Sequence, residues 1–327
     1  MTPKTASATS TQAEAHGIAR KKPSRPGSTS SGSSGSPAPS APTVPSGATT
    51  RERRQRVQSA QTGMAVLKGL ARLGGRASLS GLAGHVGESP AKVHRYLASL
   101  IEEGLVAQDS ATQQYLLGTE AMMIGVAAMR QADPVRAAEP ALVRLREALE
   151  LTSFVAVMGN MGPTIVRFEE PGLPVTVNVR VGSVMSLLWS STGRVFLGLL
   201  DDSRVRALAQ DEYAQAGPAL RALLDTDNMG DVKAAARHEK HDPVDALRHA
   251  VREEVHMHGC ASVKDTNLKG ISAVSAPLFD HTGRPCAVLT TLGATGGFDA
   301  APEGPVAAAL RREAAAASAL LGYAPSV

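Results

Sequence analysis

The stretch SPAKVHRYLASLIEEG at residues 89–104 decides the fold of the first part of this chain. Read at 3.6 residues per turn, its large apolar side chains fall on one side, while its cations point elsewhere. Those apolar residues are Val93, Leu97, Leu100 and Ile101. Ser89 can cap the first turn, Pro90 suits the first helical position, and Gly104 can take the left-handed turn that ends a helix. The stretch therefore predicts an amphipathic helix with a cationic front.

The polar side of this helix carries the groups that a recognition helix presents to DNA. Phosphates and base edges accept hydrogen bonds from cations and hydroxyls. The residues predicted to bind DNA are Ser89, Lys92, Val93, His94, Arg95 and Ser99. An ordinary surface helix with three cations on its solvent side would show the same local pattern, so the neighbouring segments decide between the two interpretations.

Those neighbours predict a small domain over residues 57–118. A helical stripe over 57–73 ends at a Gly-Gly-Arg break, and a second short helix begins at Ser78 or Ser80 and ends at His85. After the quoted stretch, alternating apolar residues flank a polar tip, as in a β-hairpin. Three helices followed by a hairpin in about 60 residues predict a winged helix-turn-helix.

Residues 1–56 differ from the rest of the chain in composition and charge. Ser, Pro, Thr, Ala and Gly dominate, and because large apolar groups are too few to offset the entropy of ordering, we expect a disordered tail. Its end, RERRQR at 51–56, would touch the phosphates of a neighbouring duplex or serve as a solvated linker. Residues 1–57 carry a charge of +7 and residues 119–327 a charge of −4, so a polyanion would be met at the N-terminal end.

Composition and spacing argue against several other classes of protein. Cys260 and Cys286 give neither a disulfide framework nor a metal-ligand spacing, which favours a reducing cytoplasm. The sequence shows no apolar signal core and no uncharged apolar run of the ~18 residues needed to cross a bilayer. Five histidines between 238 and 258 lack the spacing of a zinc-binding helix, and no P-loop, dinucleotide fingerprint or nucleophile elbow occurs. We expect a protein without catalytic activity, metal, cofactor or membrane contact.

Beyond residue 118 the sequence predicts a linker helix over 119–134 and a second domain over 135–323. The segment TEAMMIGVAAMRQ at 119–131 has a methionine-rich stripe that would pack against a dimer partner or form a plain core helix. Further on, β-rich and helical segments predict an α+β domain with helices on one side of an antiparallel sheet. The predicted strands are 152–159, 163–170, 174–181, 271–279 and 286–293. The predicted helices are an amphipathic segment at 133–150, then 190–200, 208–224, one through Leu247–Val255 ending near Gly259, and 304–321, with a polar loop at 225–242.

Both parts of the chain resemble one family of bacterial transcription factors, the isocitrate lyase regulator (IclR) family. The matching motifs of the DNA-binding module are Val93-His94-Arg95, Leu97, Leu100, Gly104-Leu105-Val106 and Tyr115-Leu116-Leu117-Gly118. Those of the second domain are VGSVMSLLWSSTGRVFLGLL at 181–200 and GISAVSAPLFDHTGRPCAVLTTLG at 270–293. Lys92 stands where the family usually has Ser or Thr, and Ser186 where it usually has Pro.

The resemblance implies an α+β fold in which the winged helix-turn-helix is joined by the linker helix to a GAF-like effector-binding domain with a central antiparallel sheet. The effector, a small organic acid, would lie against the sheet under the loop and helix at Ser190–Arg194, where unpaired backbone N–H groups and the helix dipole favour a negative group. The predicted effector-binding residues are Met185, Leu188, Trp189, Ser190, Ser191, Thr192, Gly193 and Thr290. In the alternative interpretation, Ser190 or Ser191 only caps the helix and Trp189 belongs to the core.

These implications together predict a ligand-responsive transcriptional regulator in the cytoplasm, associated with the nucleoid. A homodimer or homotetramer would place two recognition helices in successive major grooves of a pseudo-palindromic operator in double-stranded DNA, and the effector would change the affinity. A second hypothesis is a small-molecule sensing or enzymatic α+β protein whose N-terminal module mediates protein contacts.

Overall fold

The N-terminal domain is built from three helices and a small sheet. The computed structural model describes residues 57–172, 179–226, 242–266 and 268–324, so the predicted tail at 1–56 lies outside the described residues. The helices are α1 (Gln58–Arg72), α2 (Leu79–Val86) and α3 (Pro90–Glu102), and the strands are β1 (Arg76–Ala77), β2 (Val106–Gln108) and β3 (Tyr115–Leu117), in the antiparallel order β1-β3-β2. The winged helix-turn-helix predicted for 57–118 is therefore confirmed. Strand β1 was not predicted, because two residues are too few to show a period.

Short polar residues and glycines fix how α3 is held. The Ser89 hydroxyl accepts a hydrogen bond from the Lys92 backbone N–H at 3.4 Å, which makes Ser89 the N-cap of α3. Gly87, with φ +73°, ends α2, and Gly104, with φ +68°, follows α3. The predicted start and end of the recognition helix are thus confirmed, and both turns use backbone conformations that glycine adopts at little cost.

A compact apolar core supports α3 from behind. Its buried members are Val66, Leu70, Ala77, Leu82, Ala83, Val93, Leu97, Leu100, Val106 and Tyr115. Ile101, which was predicted on the apolar side, is 38% exposed. Val93, Leu97 and Leu100 already fill the stripe that faces the core, and Ile101 lies one residue, about 100°, further round the helix.

Helix α4 (Thr119–Arg130) occupies the predicted linker position, but it has no buried residue. Its large apolar side chains face outward, with Met122, the most exposed, at 62%. The other exposed apolar side chains on this helix are Met123, Ile124 and Met129. The alternative in which α4 is a plain core helix is therefore wrong for the described chain.

The second domain contains a five-stranded antiparallel sheet with helices on both faces. Its helices are α5 (Pro134–Leu149), α6 (Ser191–Leu199), α7 (Ser203–Gln215), α8 (Pro218–Thr226), α9 (Pro243–His258) and α10 (Pro305–Leu320). Its strands are β4 (Thr152–Met158), β5 (Pro163–Glu169), β6 (Ala261–Lys264), β7 (Ile271–Phe279) and β8 (Pro285–Ala294), in the order β5-β4-β8-β7-β6. The α+β class and the antiparallel sheet are confirmed.

Two separate apolar clusters cover the two faces of this sheet. Phe154 and Ala156 of β4 face the cluster formed with α6, α7 and α9, whereas Val155 faces the cluster formed with α5 and α10. Successive residues of a strand point to opposite faces, so a strand with consecutive buried residues is covered on both sides. The prediction of helices on one side only is therefore wrong.

Several boundaries in this domain also differ from the prediction. The single helix predicted for 208–224 is two helices, α7 and α8, separated at Gly217, where the following proline disfavours the helical conformation and lacks an N–H donor. Strand β6 was not predicted. The helices α6 and α10 and the strands β4, β5, β7 and β8 lie where they were predicted within one or two residues, and α9 ends where it was predicted to end. Most of the strand predicted at 174–181 and most of the loop at 225–242 lie outside the described residues.

Candidate functional site

The outer face of α3 is polar and open to solvent. Ser89, His94, Arg95 and Ser99 are exposed there. Val93, by contrast, is 0% exposed and lies in the core of the domain. Val93 was predicted to bind DNA, and this is corrected: its side chain anchors the helix and does not reach the outer surface.

Lys92, the sixth predicted DNA-binding residue, is held by an ion pair. Its Nζ lies 2.7 Å from Oε1 of Glu88, four residues earlier. The two side chains are 32% and 31% exposed. Glu88 was not among the predicted site residues, although its i, i+4 spacing to a lysine was visible in the sequence.

The wing formed by β2 and β3 contains one acidic residue, Asp109, and no lysine or arginine. Residues 106–117 contain neither Lys nor Arg. The Asp109 carboxylate accepts a hydrogen bond from the Ala111 backbone N–H at 2.9 Å and pairs with Arg76 at 3.4 Å. The hydrogen bond from the Ala111 backbone, followed by those from Thr112, holds the pKa of Asp109 below its ordinary value. The lysines and arginines of this domain therefore lie on the helices and on β1, and not on the wing.

A small cavity lies between the start of α6 and the sheet. It is lined by Phe154, Val179, Met185, Ser190, Ser191, Thr192, Val263, Leu268, Ile271, Ala273, Thr290 and Leu292. None of these lining residues is ionisable. Its volume is about 30 Å³, on a scale in which one water molecule needs ~10–15 Å³.

Five of the eight predicted effector-binding residues meet at this cavity: Met185, Ser190, Ser191, Thr192 and Thr290. Leu188 and Trp189 do not line it. Both are buried in the apolar cluster on that face of the sheet, Trp189 at 3% exposure, and the Trp189 carbonyl accepts a hydrogen bond from Thr266 Oγ1 at 2.7 Å. Both were predicted to bind the effector, but neither reaches the cavity, and Trp189 is a core residue.

Gly193 is also absent from the cavity lining. A Cβ atom at this position would lie 1.9 Å from the Ser186 carbonyl oxygen and 2.5 Å from the Leu187 Cα. Both are backbone atoms, which cannot turn aside as the end of a side chain can. Gly193 therefore serves the close packing of the preceding loop on α6, not ligand contact.

Three of the cavity's hydroxyl groups are joined through Ser275 into one chain of hydrogen bonds. Ser191 Oγ lies 2.7 Å from Ser275 Oγ, which lies 2.8 Å from Thr290 Oγ1, which in turn lies 2.8 Å from Thr192 Oγ1. All four residues are buried. Ser275 was not predicted, because its place beside Thr290 follows from the pairing of β7 with β8, which the sequence does not state.

Ser190 was predicted either to bind the effector or only to cap the helix. Its hydroxyl accepts a hydrogen bond from the Gly193 backbone N–H at 3.0 Å and donates one to the Ser186 carbonyl at 2.6 Å, so Ser190 caps α6. The same residue lines the cavity. Its hydroxyl is therefore already engaged at the start of the helix.

A carboxylate on α7 holds the loop before α6. Ser186 Oγ donates a hydrogen bond to Glu212, and the Leu187 backbone N–H donates another to Glu212 Oε2 at 2.9 Å. Ser186 Oγ also accepts a hydrogen bond from the Trp189 backbone N–H at 2.7 Å. These hydrogen bonds hold the loop at Ser186, where the family usually has a proline. Met185, in the same loop, lines the cavity.

Both domains match domain models of the same protein family. A model of the IclR helix-turn-helix domain matches residues 59–110. A model of the bacterial transcriptional regulator IclR C-terminal domain matches residues 126–319. Together these matches cover the three helices of the N-terminal domain and the whole sheet of the second.

The chain belongs to the IclR family.

Several members of the family are similar to this chain over most of the described residues. The crystal structure of Pseudomonas aeruginosa HmgR is 39% identical, with a TM-score of 0.70, and the match covers 83% of this chain and 100% of that one. The DNA-binding transcriptional repressor YiaJ of Escherichia coli is 25% identical over 70% of this chain and 76% of its own length. The Pca regulon regulatory protein of Pseudomonas putida is 25% identical, and the chain spans 61% of the length of that relative.

This IclR-family protein is a transcriptional regulator with a DNA-binding helix-turn-helix domain. Among the described residues, no helix is long and apolar enough to cross a membrane. The same part of the chain contains no cluster of three His, Cys, Asp or Glu side chains suited to a metal ion. Of the five histidines noted in the sequence, His238 and His241 lie outside the described residues.

Proposed function

We propose that this regulator binds a pseudo-palindromic operator as a homodimer or a pair of dimers, and that a small organic acid in the cavity under α6 changes its affinity for DNA. One observation carries the DNA-binding part. The exposed face of α3 presents His94, Arg95 and Ser99, and Val93 and Leu97 lock the opposite face into the core. A helix held in this way can enter a major groove without losing its place in the domain.

His94 and Arg95 are suited to the contact because both are exposed and, among the described residues, neither takes part in an ion pair or a side-chain hydrogen bond. An arginine guanidinium can donate two hydrogen bonds to O6 and N7 of a guanine or to a phosphate. We infer that Arg95 supplies much of the affinity of each half-site, with Ser99 one turn further along the helix.

The exposed apolar side chains of α4 support the dimer. Met122, Met123, Ile124 and Met129 are all exposed, although soluble helices normally bury such side chains. A second copy of α4 would cover Met122, Met123 and Met129, which lie within about 120° of one another around the helix. It would hold two copies of α3 at the spacing of one turn of DNA, about 34–36 Å. We expect Met123→Glu to shift the sedimentation coefficient of the chain toward that of a monomer and to weaken operator binding.

The cavity under α6 supports the effector part of the proposal. Its apolar walls would take the body of a small molecule, and the positive end of the α6 dipole would favour a carboxylate. A volume of about 30 Å³ holds only a few water molecules, so an organic acid has to displace the wall in order to enter. Binding is thereby coupled to the loop and helix around the cavity, as a change of operator affinity requires.

The experiment is a mobility-shift titration with the duplex upstream of the regulator's own gene, at several salt concentrations and against a scrambled duplex. We expect a steep salt dependence and preference for the upstream duplex, because phosphate contacts release counterions and base contacts discriminate. Negligible binding to both duplexes would contradict the proposal. A panel of small carboxylates added to the bound complex then tests the effector, and at least one should change the dissociation constant.

A further inference from the structure

We propose that Glu88 and Lys92 read DNA as one unit, with the Glu88 carboxylate accepting a hydrogen bond from the N4 amino group of a cytosine and the Lys92 ammonium donating to O6 or N7 of a guanine. The inference rests on the proposed function, since it assumes that the start of α3 faces the major groove. It adds a residue, Glu88, and a base preference to that function.

The geometry of the pair is the first support. Lys92 Nζ is 2.7 Å from Glu88 Oε1, and both side chains are about two-thirds covered by the protein. Such a pair is less screened than one fully open to solvent. Lys92 is the third residue of α3, where the helix dipole is unfavourable for a lone cation, and Glu88 just before the helix offsets that effect. The pair is therefore stable before any DNA arrives.

The backbone around Glu88 gives the second support. The Glu88 N–H donates to the Ala83 carbonyl at 3.1 Å, and Gly87 before it is left-handed with φ +73°. Ser89 after it caps α3. The position of Glu88 at the start of the recognition helix is thus set by the turn itself, and N-terminal residues of this helix are those that reach base edges in the helix-turn-helix geometry.

The chemistry of a carboxylate on a DNA-binding face gives the third support. Phosphates repel it, and the major groove offers it donors only at cytosine N4 and adenine N6. Acidic side chains in the groove accept from cytosine N4, and lysine donates to guanine. Lys92 has three N–H donors and uses one on Glu88, which leaves two for a guanine. A pair of opposite charges thus fits a cytosine and a guanine that are neighbours or partners.

The test is selection of operator sequences from a randomised duplex pool by the full chain, as wild type, Glu88→Ala and Lys92→Ser. Glu102→Ala is the matched control, because Glu102 is an exposed carboxylate at the far end of the same helix. We expect wild type and the control to share a strong cytosine or guanine at one position of each half-site, with about 5- to 150-fold discrimination against other bases. Glu88→Ala should reduce the cytosine preference, and Lys92→Ser the guanine preference, to about twofold.

Two results would overturn the inference. If Glu88→Ala tightens binding to every sequence and leaves each preference intact, Glu88 only repels phosphates. If Lys92→Ser weakens all sequences equally and lowers the salt slope by about one, Lys92 contacts a phosphate. Failure of the proposed function is distinct and is seen first, because the wild-type chain would then enrich no sequence from the pool.

Discussion

The recognition helix and the cavity under α6 differ in how their polar side chains are placed: those of the helix are exposed, and those of the cavity are buried. On α3, His94 and Arg95 come from one short stretch, face solvent and have no partner among the described side chains. Around the cavity, Ser191, Ser275 and Thr290 come from three elements and are buried, and Ser275 forms a hydrogen bond with each of the other two. The first site is open and determined locally, whereas the second is closed and determined by the topology of the sheet. Under the proposed function, the first is therefore ready to meet DNA, whereas the second has to open before an effector can enter.

The largest effect expected from this difference is at glycines in the two regions. Gly193→Ala should destabilise the protein by about 3 kcal/mol or more, because the new Cβ would lie 1.9 Å from a backbone oxygen. Gly84→Ala, on α2 of the N-terminal domain, is the control: its Cβ would meet nothing within 4 Å, and we expect a gain of up to ~1 kcal/mol. Urea unfolding of both variants measures the difference, and equal midpoints would show that the loop on α6 is not tightly packed.

A smaller effect is expected from the hydroxyl chain. Thr290→Val removes a partner from two buried hydroxyls, Thr192 and Ser275, and should cost about 1–3 kcal/mol of the free energy of unfolding. The double variant Thr192→Val with Thr290→Val should cost less than the sum of the two single changes, because the two groups share one interaction. Ser99→Ala on the open face of α3 should stay within ~0.5 kcal/mol of wild type. If the free-energy cost of the double variant equals the sum of the two single costs, Thr192 and Thr290 do not share a stabilising hydrogen bond.

The smallest effect is the pH dependence of stability, and its sign differs between Glu254 in the second domain and Asp109 on the wing of the N-terminal domain. Desolvation, its largest cause, raises the pKa of Glu254 on α9, although the Ser262 backbone N–H donates to that carboxylate at 2.9 Å. The stability that Glu254 contributes is therefore full below its unfolded value of 4.5 and is lost as the pH rises through its folded pKa. The lowered pKa of Asp109 acts the other way: its contribution is present above 3.8 and is lost as the pH falls through its folded pKa.

This pair of signs is checked by unfolding wild type, Glu254→Gln and Asp109→Asn from pH 3 to pH 7. Relative to wild type, Glu254→Gln should gain stability as the pH rises above 4.5. Asp109→Asn should instead be less stable than wild type above pH 3.8, and this difference should shrink as the pH falls below 3.8 through the folded pKa of Asp109. Parallel curves for all three proteins would contradict the difference in environment between the wing and α9.

The two regions also explain how far the sequence predicts the molecule. The bounds and caps of α3 follow from Ser89, Pro90 and Gly104, which act within one turn of themselves, so a single stretch was sufficient. The class of the second domain was equally visible in its strand and helix periods.

The cavity was predicted only in part, because its residues meet through long-range pairing. Ser275 lies opposite Thr290 in the register of β7 and β8, and no local pattern announces that register. The resemblance implies that Trp189 binds the effector together with Ser190, but neighbours in sequence at the start of a helix point in different directions, and Trp189 packs in the core. The resemblance to the family directs attention to the start of α6, and the packing shows which of the predicted residues line a cavity there.

The open face of α3 is the central claim, and the affinity of Arg95→Ala for the operator tests it most directly. A control variant, Arg312→Ala, removes another exposed arginine, from α10, and so changes the net charge by the same amount. By mobility shift at fixed salt, we expect Arg95→Ala to bind at least about tenfold more weakly than wild type, the loss of a charge-assisted contact, and Arg312→Ala to stay within about twofold. Equal affinities for the two variants, with circular dichroism showing both folded, would contradict the account.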